Sequence, residues 1–98
     1  MTTGDERQAA AGRIEELIGL LKGQQGPDTA SMIAECEALH RAVHAFHMEG
    51  IRFRIYNVDR LLAQHAASLP AEARALLEET RRHLEAAGFH TRSHQSPV

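Results

Sequence analysis

The sequence predicts an all-α fold of three helices, in which a long central helix is flanked by two shorter antiparallel helices. Apolar residues recur at spacings of three and four along most of the chain, which is the period of an amphipathic helix. Helix-breaking residues divide the chain around Gly26-Pro27 and around Ser68-Pro70. Residues 51–55 alternate as a strand would, but no second candidate strand exists to pair with them. A helical interpretation is therefore favoured throughout.

The length of 98 residues allows one domain, which we place at residues 1–89. Helices are expected at about 4–22, 28–67 and 69–87, followed by a flexible polar tail over 90–98. The single cysteine cannot form an internal disulfide, which fits a reducing compartment. The chain shows neither a secretory signal pattern nor an apolar stretch of about 20 residues. We therefore expect a cytoplasmic protein that does not contact membranes.

The first predicted helix begins with a capping-box pattern. Thr3 and Glu6 have the spacing at which a hydroxyl and a carboxylate satisfy the first backbone N–H groups. Lys22 and Gly23 supply a cation and a conformationally free residue at its end. Its apolar stripe consists of Ala10, Ala11, Ile14, Leu17, Ile18 and Leu21. This stripe gives the helix a single buried side.

The central helix is expected to run without interruption from Asp28, a favourable N-cap residue, to about Ala67. Gly50 is the only breaker in this interval, and one glycine does not reverse a chain between two helices. Apolar residues also keep the helical period on both sides of Gly50. The sequence thus predicts one rod of about 60 Å.

The third helix is marked at both of its ends. Pro70 is suited to the first turn, and Glu72 favours the positive end of the helix dipole. Gly88 can adopt the left-handed conformation, after which Phe89 folds back on the last turn in a Schellman motif. Its inner stripe consists of Ala73, Leu76, Leu77, Thr80, Leu84 and Ala87.

The assembly follows from how much of the central helix its neighbours can cover. Short connections force each outer helix to lie antiparallel to the nearer half of the rod, which leaves much of its broad apolar arc exposed. We therefore expect a two-fold homodimer in which each half becomes a four-helix bundle. The predicted interface consists of Val43, Phe46, His47, Ile51, Arg54 and Val58. The alternative is a monomer that bends sharply at Gly50 and closes into its own four-helix bundle.

Arg54 and its neighbours carry two further expectations. Arg54 lies on the inner arc, where an unpaired guanidinium is costly, and Glu79 is the expected partner. Phe53, Tyr56 and Asn57 lie beside several arginines, a composition that suits a protein-partner surface.

Three of the seven histidines, His40, His44 and His47, share about a quarter of the circumference of the central helix. Imidazoles four residues apart on a helix can bind one ion, and the tail returns His90 to the same region. We therefore predict His40, His44, His47 and His90 as ligands of zinc, copper, nickel or iron, near the dimer axis. The alternatives are interface histidines hydrogen-bonded to carbonyls or water, and a pH sensor that becomes charged in mild acid.

Charge and motifs argue against several classes of function. A formal net charge of −2 and the absence of a helix-turn-helix pattern do not favour nucleic-acid binding. No glycine-rich phosphate loop or activated nucleophile is evident, although a shared histidine site with an open position could activate water or dioxygen. The leading hypothesis is a cytosolic, non-catalytic helical homodimer with an interaction or regulatory role. The alternative hypothesis is a transition-metal-binding protein.

Overall fold

The computed structural model describes residues 3–24, 26, 28–89 and 91, and these residues form an all-helical chain without strands. Within them lie four α-helices: α1 (Thr3–Lys22), α2 (Thr29–His44), α3 (Met48–Gln64) and α4 (Ala71–Ala86), with a short 3₁₀-helix at Ala66–Ser68 before α4. The predicted all-α class is confirmed. None of these helices is both long and apolar enough to cross a lipid bilayer.

The predicted uninterrupted central helix is wrong, because α2 and α3 are separate helices joined by a reversal at residues 45–47. Phe46 has a φ of 58°, in the left-handed region, although it is not glycine. The Phe46 N–H donates to the Val43 carbonyl at 3.3 Å, and the His47 N–H donates to the Ala42 carbonyl at 3.1 Å. These two bonds are those of a Schellman motif, which ends α2. The longest dimension of the molecule is consequently 37 Å, well short of the expected rod.

The alternative prediction placed a bend at Gly50, but this glycine lies in the first turn of α3. The backbone N–H of Gly50 donates to Nδ1 of His47, which is the N-cap residue of α3, at 2.9 Å. A Cβ atom on Gly50 would lie 2.6 Å from that Nδ1 atom. The glycine therefore serves the start of α3, and the chain reverses three residues before it.

The end of α4 forms the motif that the sequence predicts. Gly88 has a φ of 98°, and its N–H donates to the Glu85 carbonyl at 3.0 Å. The N–H of Phe89 reaches back to the Leu84 carbonyl at 2.9 Å, and the Phe89 side chain is buried. The Schellman motif predicted at Gly88 and Phe89 is confirmed.

The helices pack antiparallel in chain order. α1 lies against both α2 and α4, α2 lies against α3, and α3 makes a minor contact with α4. Arg7 near the start of α1 donates to the carbonyl of Val43 near the end of α2, at 3.3 Å. Glu6 similarly meets His83 near the end of α4, with 2.8 Å between Oε1 and Nδ1. The start of α1 therefore contacts the ends of both α2 and α4.

The core lies between the apolar stripes of all four helices. Its large, fully buried side chains are Ile14, Leu17 and Leu21 of α1, Leu39 and Val43 of α2, Ile51, Ile55, Val58 and Leu62 of α3, and Leu77 and Leu84 of α4. The reversal at residues 45–47 lets α3 fold back and cover the arc of α2 that the rod would have left exposed. Val43, Ile51 and Val58 are thus inside the protomer, which corrects their placement on a dimer interface.

One residue of the expected tail is docked on α4. Thr91 is buried, its carbonyl accepts a hydrogen bond from Arg81 at 2.9 Å, and its hydroxyl donates to Glu85 at 2.6 Å. These contacts pack Thr91 against the last turns of α4. The other tail residues, His90 and 92–98, lie outside the described residues.

Candidate functional site

Two of the four predicted metal ligands lie side by side. His40 and His44 are on consecutive turns of α2, with ring centroids 4.8 Å apart and ring planes inclined by 54°. His47 is separated from them because it follows the end of α2 and uses Nδ1 to cap α3. His90 lies outside the described residues. The structure therefore brings together only the pair His40 and His44.

A carboxylate from α1 joins this pair. Oε2 of Glu15 lies 2.9 Å from Nε2 of His40, so the imidazole donates its Nε2–H to Glu15 and keeps the Nδ1 lone pair. The His40 side chain is 23% exposed, which leaves its edge accessible to solvent. The helical pattern of α1 points Glu15 outward and does not predict this contact. Its pairing with His40 depends on the register of α1 against α2, which a single helix pattern does not contain.

The surface around Glu15 and His40 is a shallow groove between α1 and α2. Its other lining residues are Ile18, Glu37 and Arg41. Two carboxylates and one guanidinium therefore surround one edge of His40, so this side of the histidine pair favours a cation. Within the described part of the chain, no group of three His, Cys, Asp or Glu side chains is arranged to hold a metal ion.

Cys36 lies one turn before His40 but is inert at neutral pH. Burial, together with the nearby carboxylates of Glu35 and Glu37, raises the pKa of its thiol to about 12. The thiol is fully buried in the core. Because only the thiolate is a good nucleophile and metal ligand, Cys36 is a core residue and does not extend the histidine pair.

A second surface lies on the solvent side of α3. We define the outer face of α3 as Glu49, Arg52, Phe53, Tyr56 and Arg60, which recur at helical spacing. Phe53 is 48% exposed and Tyr56 is 41% exposed, unlike the buried apolar residues on the opposite side. Arg52 reaches Glu49 at 3.2 Å, whereas Arg60 has no ion-pair partner among the described residues.

Arg54 lies at the edge of this face and is bound to α2. Its guanidinium donates to both carboxylate oxygens of Glu35, at 3.1 and 3.2 Å, and Asn57 donates to the same carboxylate. The predicted partner, Glu79, is instead paired with Arg13 of α1. The prediction that a carboxylate pairs with Arg54 is confirmed. The predicted identity of that carboxylate was wrong, because α3 folds back on α2 and brings Arg54 to Glu35.

The two remaining residues of the predicted interface, Phe46 and His47, lie at the reversal between α2 and α3. Phe46 is 55% exposed, with the Arg7 guanidinium 4.0 Å from its ring centroid and the Phe89 ring 6.2 Å away. Arg7 thereby couples this turn to α1 through a cation–π contact and its bond to the α2 carbonyl. These contacts make the turn part of the folded protomer.

No family model, curated protein or solved structure matches the chain. Two surfaces of the bundle are candidates for function, the histidine pair beside Glu15 and the outer face of α3.

Proposed function

We propose that the protein acts by association, as a non-catalytic helical bundle that forms a two-fold homodimer through the outer face of α3. The observation that carries this proposal is the exposure of Phe53 and Tyr56 on one side of a helix whose other side is fully buried. Aromatic and arginine side chains are enriched at protein interfaces and dominate their binding energy. The cytoplasmic location and the interaction or regulatory role belong to the same proposal, and the buried free thiol of Cys36 is consistent with a reducing compartment.

The choice of a second copy as partner is supported by the pattern of the outer face. In a two-fold interface, any residue that contacts a second residue is contacted by it in return. If two α3 helices pack antiparallel about an axis between Phe53 and Tyr56, Phe53 of each copy meets Tyr56 of the other. The same arrangement places Glu49 of each copy opposite Arg60 of the other.

The opposite charges of Glu49 and Arg60 favour this particular antiparallel register. The two residues are about 16 Å apart on one helix, so they cannot pair within a protomer. The Glu49 side chain is 74% exposed, and Arg60 lacks an ion-pair partner among the described residues. The antiparallel dimer would give each Arg60 a carboxylate partner, once at each end of the aromatic contact, while Glu49 keeps its contact with Arg52 of its own chain.

The experiment is sedimentation equilibrium on the untagged full chain. The expected mass is twice 10.8 kDa at micromolar concentration. Arg60→Glu and Glu49→Arg should each weaken the dimer about tenfold or more, because like charges then face each other. The double variant Glu49→Arg/Arg60→Glu should restore association, since the charges are exchanged and remain complementary.

Arg82→Glu is the matched control, because Arg82 is an exposed arginine on α4. It should leave the mass unchanged. A monomeric wild-type chain, or a dimer that tolerates Arg60→Glu as well as Arg82→Glu, contradicts the proposal.

A further inference from the structure

We infer that His40 and His44 bind one transition-metal ion of the zinc, nickel or copper class, and that Glu15 orients His40 for this role. The site lies in the groove between α1 and α2, so it is separate from the outer face of α3 and does not depend on the dimer. It uses two protein ligands, and water completes the coordination of the ion.

The spacing of the two rings fits a shared ion. Imidazole nitrogens bind zinc at about 2.0–2.1 Å, so two rings on one ion in a tetrahedral or square arrangement have centroids about 5 Å apart. The centroids of His40 and His44 are 4.8 Å apart before any ion is added. This separation of the centroids therefore satisfies the distance requirement for two rings on one ion.

Glu15 supplies the outer hydrogen bond that metal-binding histidines usually have. A histidine ligand commonly donates its second ring N–H to a carboxylate, which fixes the tautomer and raises the basicity of the other nitrogen. The 2.9 Å contact between Glu15 and Nε2 of His40 has this form and leaves Nδ1 as the ligand atom. Because Glu15 belongs to α1, the ring of His40 is held from a neighbouring helix.

The surroundings of the pair favour a cation that solvent can deliver. Glu15 and Glu37 line the groove together with a single cation, Arg41. His44 is exposed, and His40 is accessible at its edge. An ion can therefore reach both rings directly from solution, with the remaining positions open to water.

The other histidines among the described residues lack this combination. His47 has its Nδ1 atom engaged by the Gly50 N–H. His65 lies 3.6 Å from Asp28 and His83 lies 2.8 Å from Glu6, each without a second imidazole in ring contact. The pair on α2 is thus the site to test first.

Calorimetric titration of the untagged full chain with Zn²⁺ in a non-coordinating buffer tests the inference. The expected result is one ion per chain at the tightest site. His40→Gln and His44→Gln should each weaken that binding at least tenfold, because a single imidazole loses the chelate. Glu15→Gln should weaken it about tenfold while both ligands remain, as expected for an outer-shell carboxylate.

His65→Gln is the matched control and should bind Zn²⁺ as the wild type does. Circular dichroism spectra of all variants should be superimposable, since His44 is exposed and its replacement removes no core contact. Absence of Zn²⁺ binding, or equal binding by His44→Gln and the wild type, overturns the inference. Equal Zn²⁺ affinity in Arg60→Glu is expected, and this result separates the metal site from the proposed dimer.

Discussion

The ends of α2 and α4 have the same backbone motif but place different residues in its left-handed position. In α4 this residue is Gly88, and in α2 it is Phe46. Both ends make the same pair of backbone hydrogen bonds, and they meet in space through the rings of Phe46 and Phe89. At α4 the residue itself favours the conformation, whereas at α2 the surrounding structure must hold it.

The contacts around Phe46 explain how α2 achieves this. A non-glycine residue in the left-handed region costs about 1–2 kcal/mol. The Arg7 guanidinium lies over the Phe46 ring and also binds carbonyls at the end of α2, so one side chain stabilises both the ring and the helix end. This pair of helix ends shows that tertiary contacts can hold a residue other than glycine in the left-handed region.

The largest difference between the two ends is expected for truncation of their aromatic rings. Phe89→Ala should lower the free energy of unfolding by about 3 kcal/mol, because the ring is only 7% exposed and leaves a cavity. Phe46→Ala should cost only about 1 kcal/mol, since the ring is largely solvated and loses mainly its contact with Arg7. Urea denaturation measures both values, and equal costs would mean that the two ends are held in the same way.

Substitution in the left-handed position should give the next largest contrast. Gly88→Ala should destabilise the protein by about 1–2 kcal/mol, because φ at this position is 98°. Phe46→Gly should change stability by less than about 0.5 kcal/mol, since relief of the backbone cost offsets the lost ring contacts. A large loss for Phe46→Gly would show that the contacts outweigh the backbone cost.

The pH dependence of stability reports on α2, because Cys36 lies in its core-facing stripe. The thiol has a pKa of about 12 in the folded protein and of 9.0 when it is exposed. Below about pH 9 both states keep the proton, so stability is unaffected. Above this pH only the unfolded state loses it, and stability should fall by about 1.4 kcal/mol per pH unit until the folded pKa is reached.

Urea unfolding at about pH 8 and about pH 10 measures this decrease. Cys36→Ala is the control, because it retains all other titrating groups and should lose less stability over the same interval. An identical decrease in both proteins would contradict the assignment to Cys36.

Modest effects are expected at the N-cap that follows the α2 reversal. His47→Ala should cost about 1 kcal/mol, as other N-cap losses do. Gly50→Ala should cost a similar amount, because the new Cβ would displace the His47 ring. The double variant should be no worse than either single one, since both remove the same hydrogen bond.

Gly19→Ala provides the control for the Gly50 experiment. A Cβ atom on Gly19 would meet nothing within 4 Å, so alanine should stabilise α1 by about 0.5–1 kcal/mol. Destabilisation by both glycine substitutions would indicate that the effect at Gly50 does not depend on His47.

The elements that the sequence predicts are those whose signals lie within one segment, and those it does not predict depend on contacts between segments. α1, α4 and the end at Gly88 were predicted well, because stripes, proline and glycine act through their own segments. The reversal at Phe46 was missed because its conformation depends on Arg7, thirty-nine residues away in sequence.

In the candidate site, too, contacts within one helix were predicted and contacts between helices were missed. The proximity of His40 and His44 follows from helical spacing alone and was predicted. Glu15 beside His40 depends on the register between two helices and was missed. The pairing of Arg54 with Glu35 was missed for the same reason, since it requires α3 to lie against α2.

A hairpin closed by three residues is also a hinge. If positions 45–47 straightened, α3 and α4 of one molecule would occupy the same places in another, and the contacts of α1 and α2 with α3 and α4 would be re-formed between chains. Such an exchange would first have to break the packing of α4 on α1 and of α3 on α2, so the turn at residues 45–47 and the core together keep the bundle within one chain.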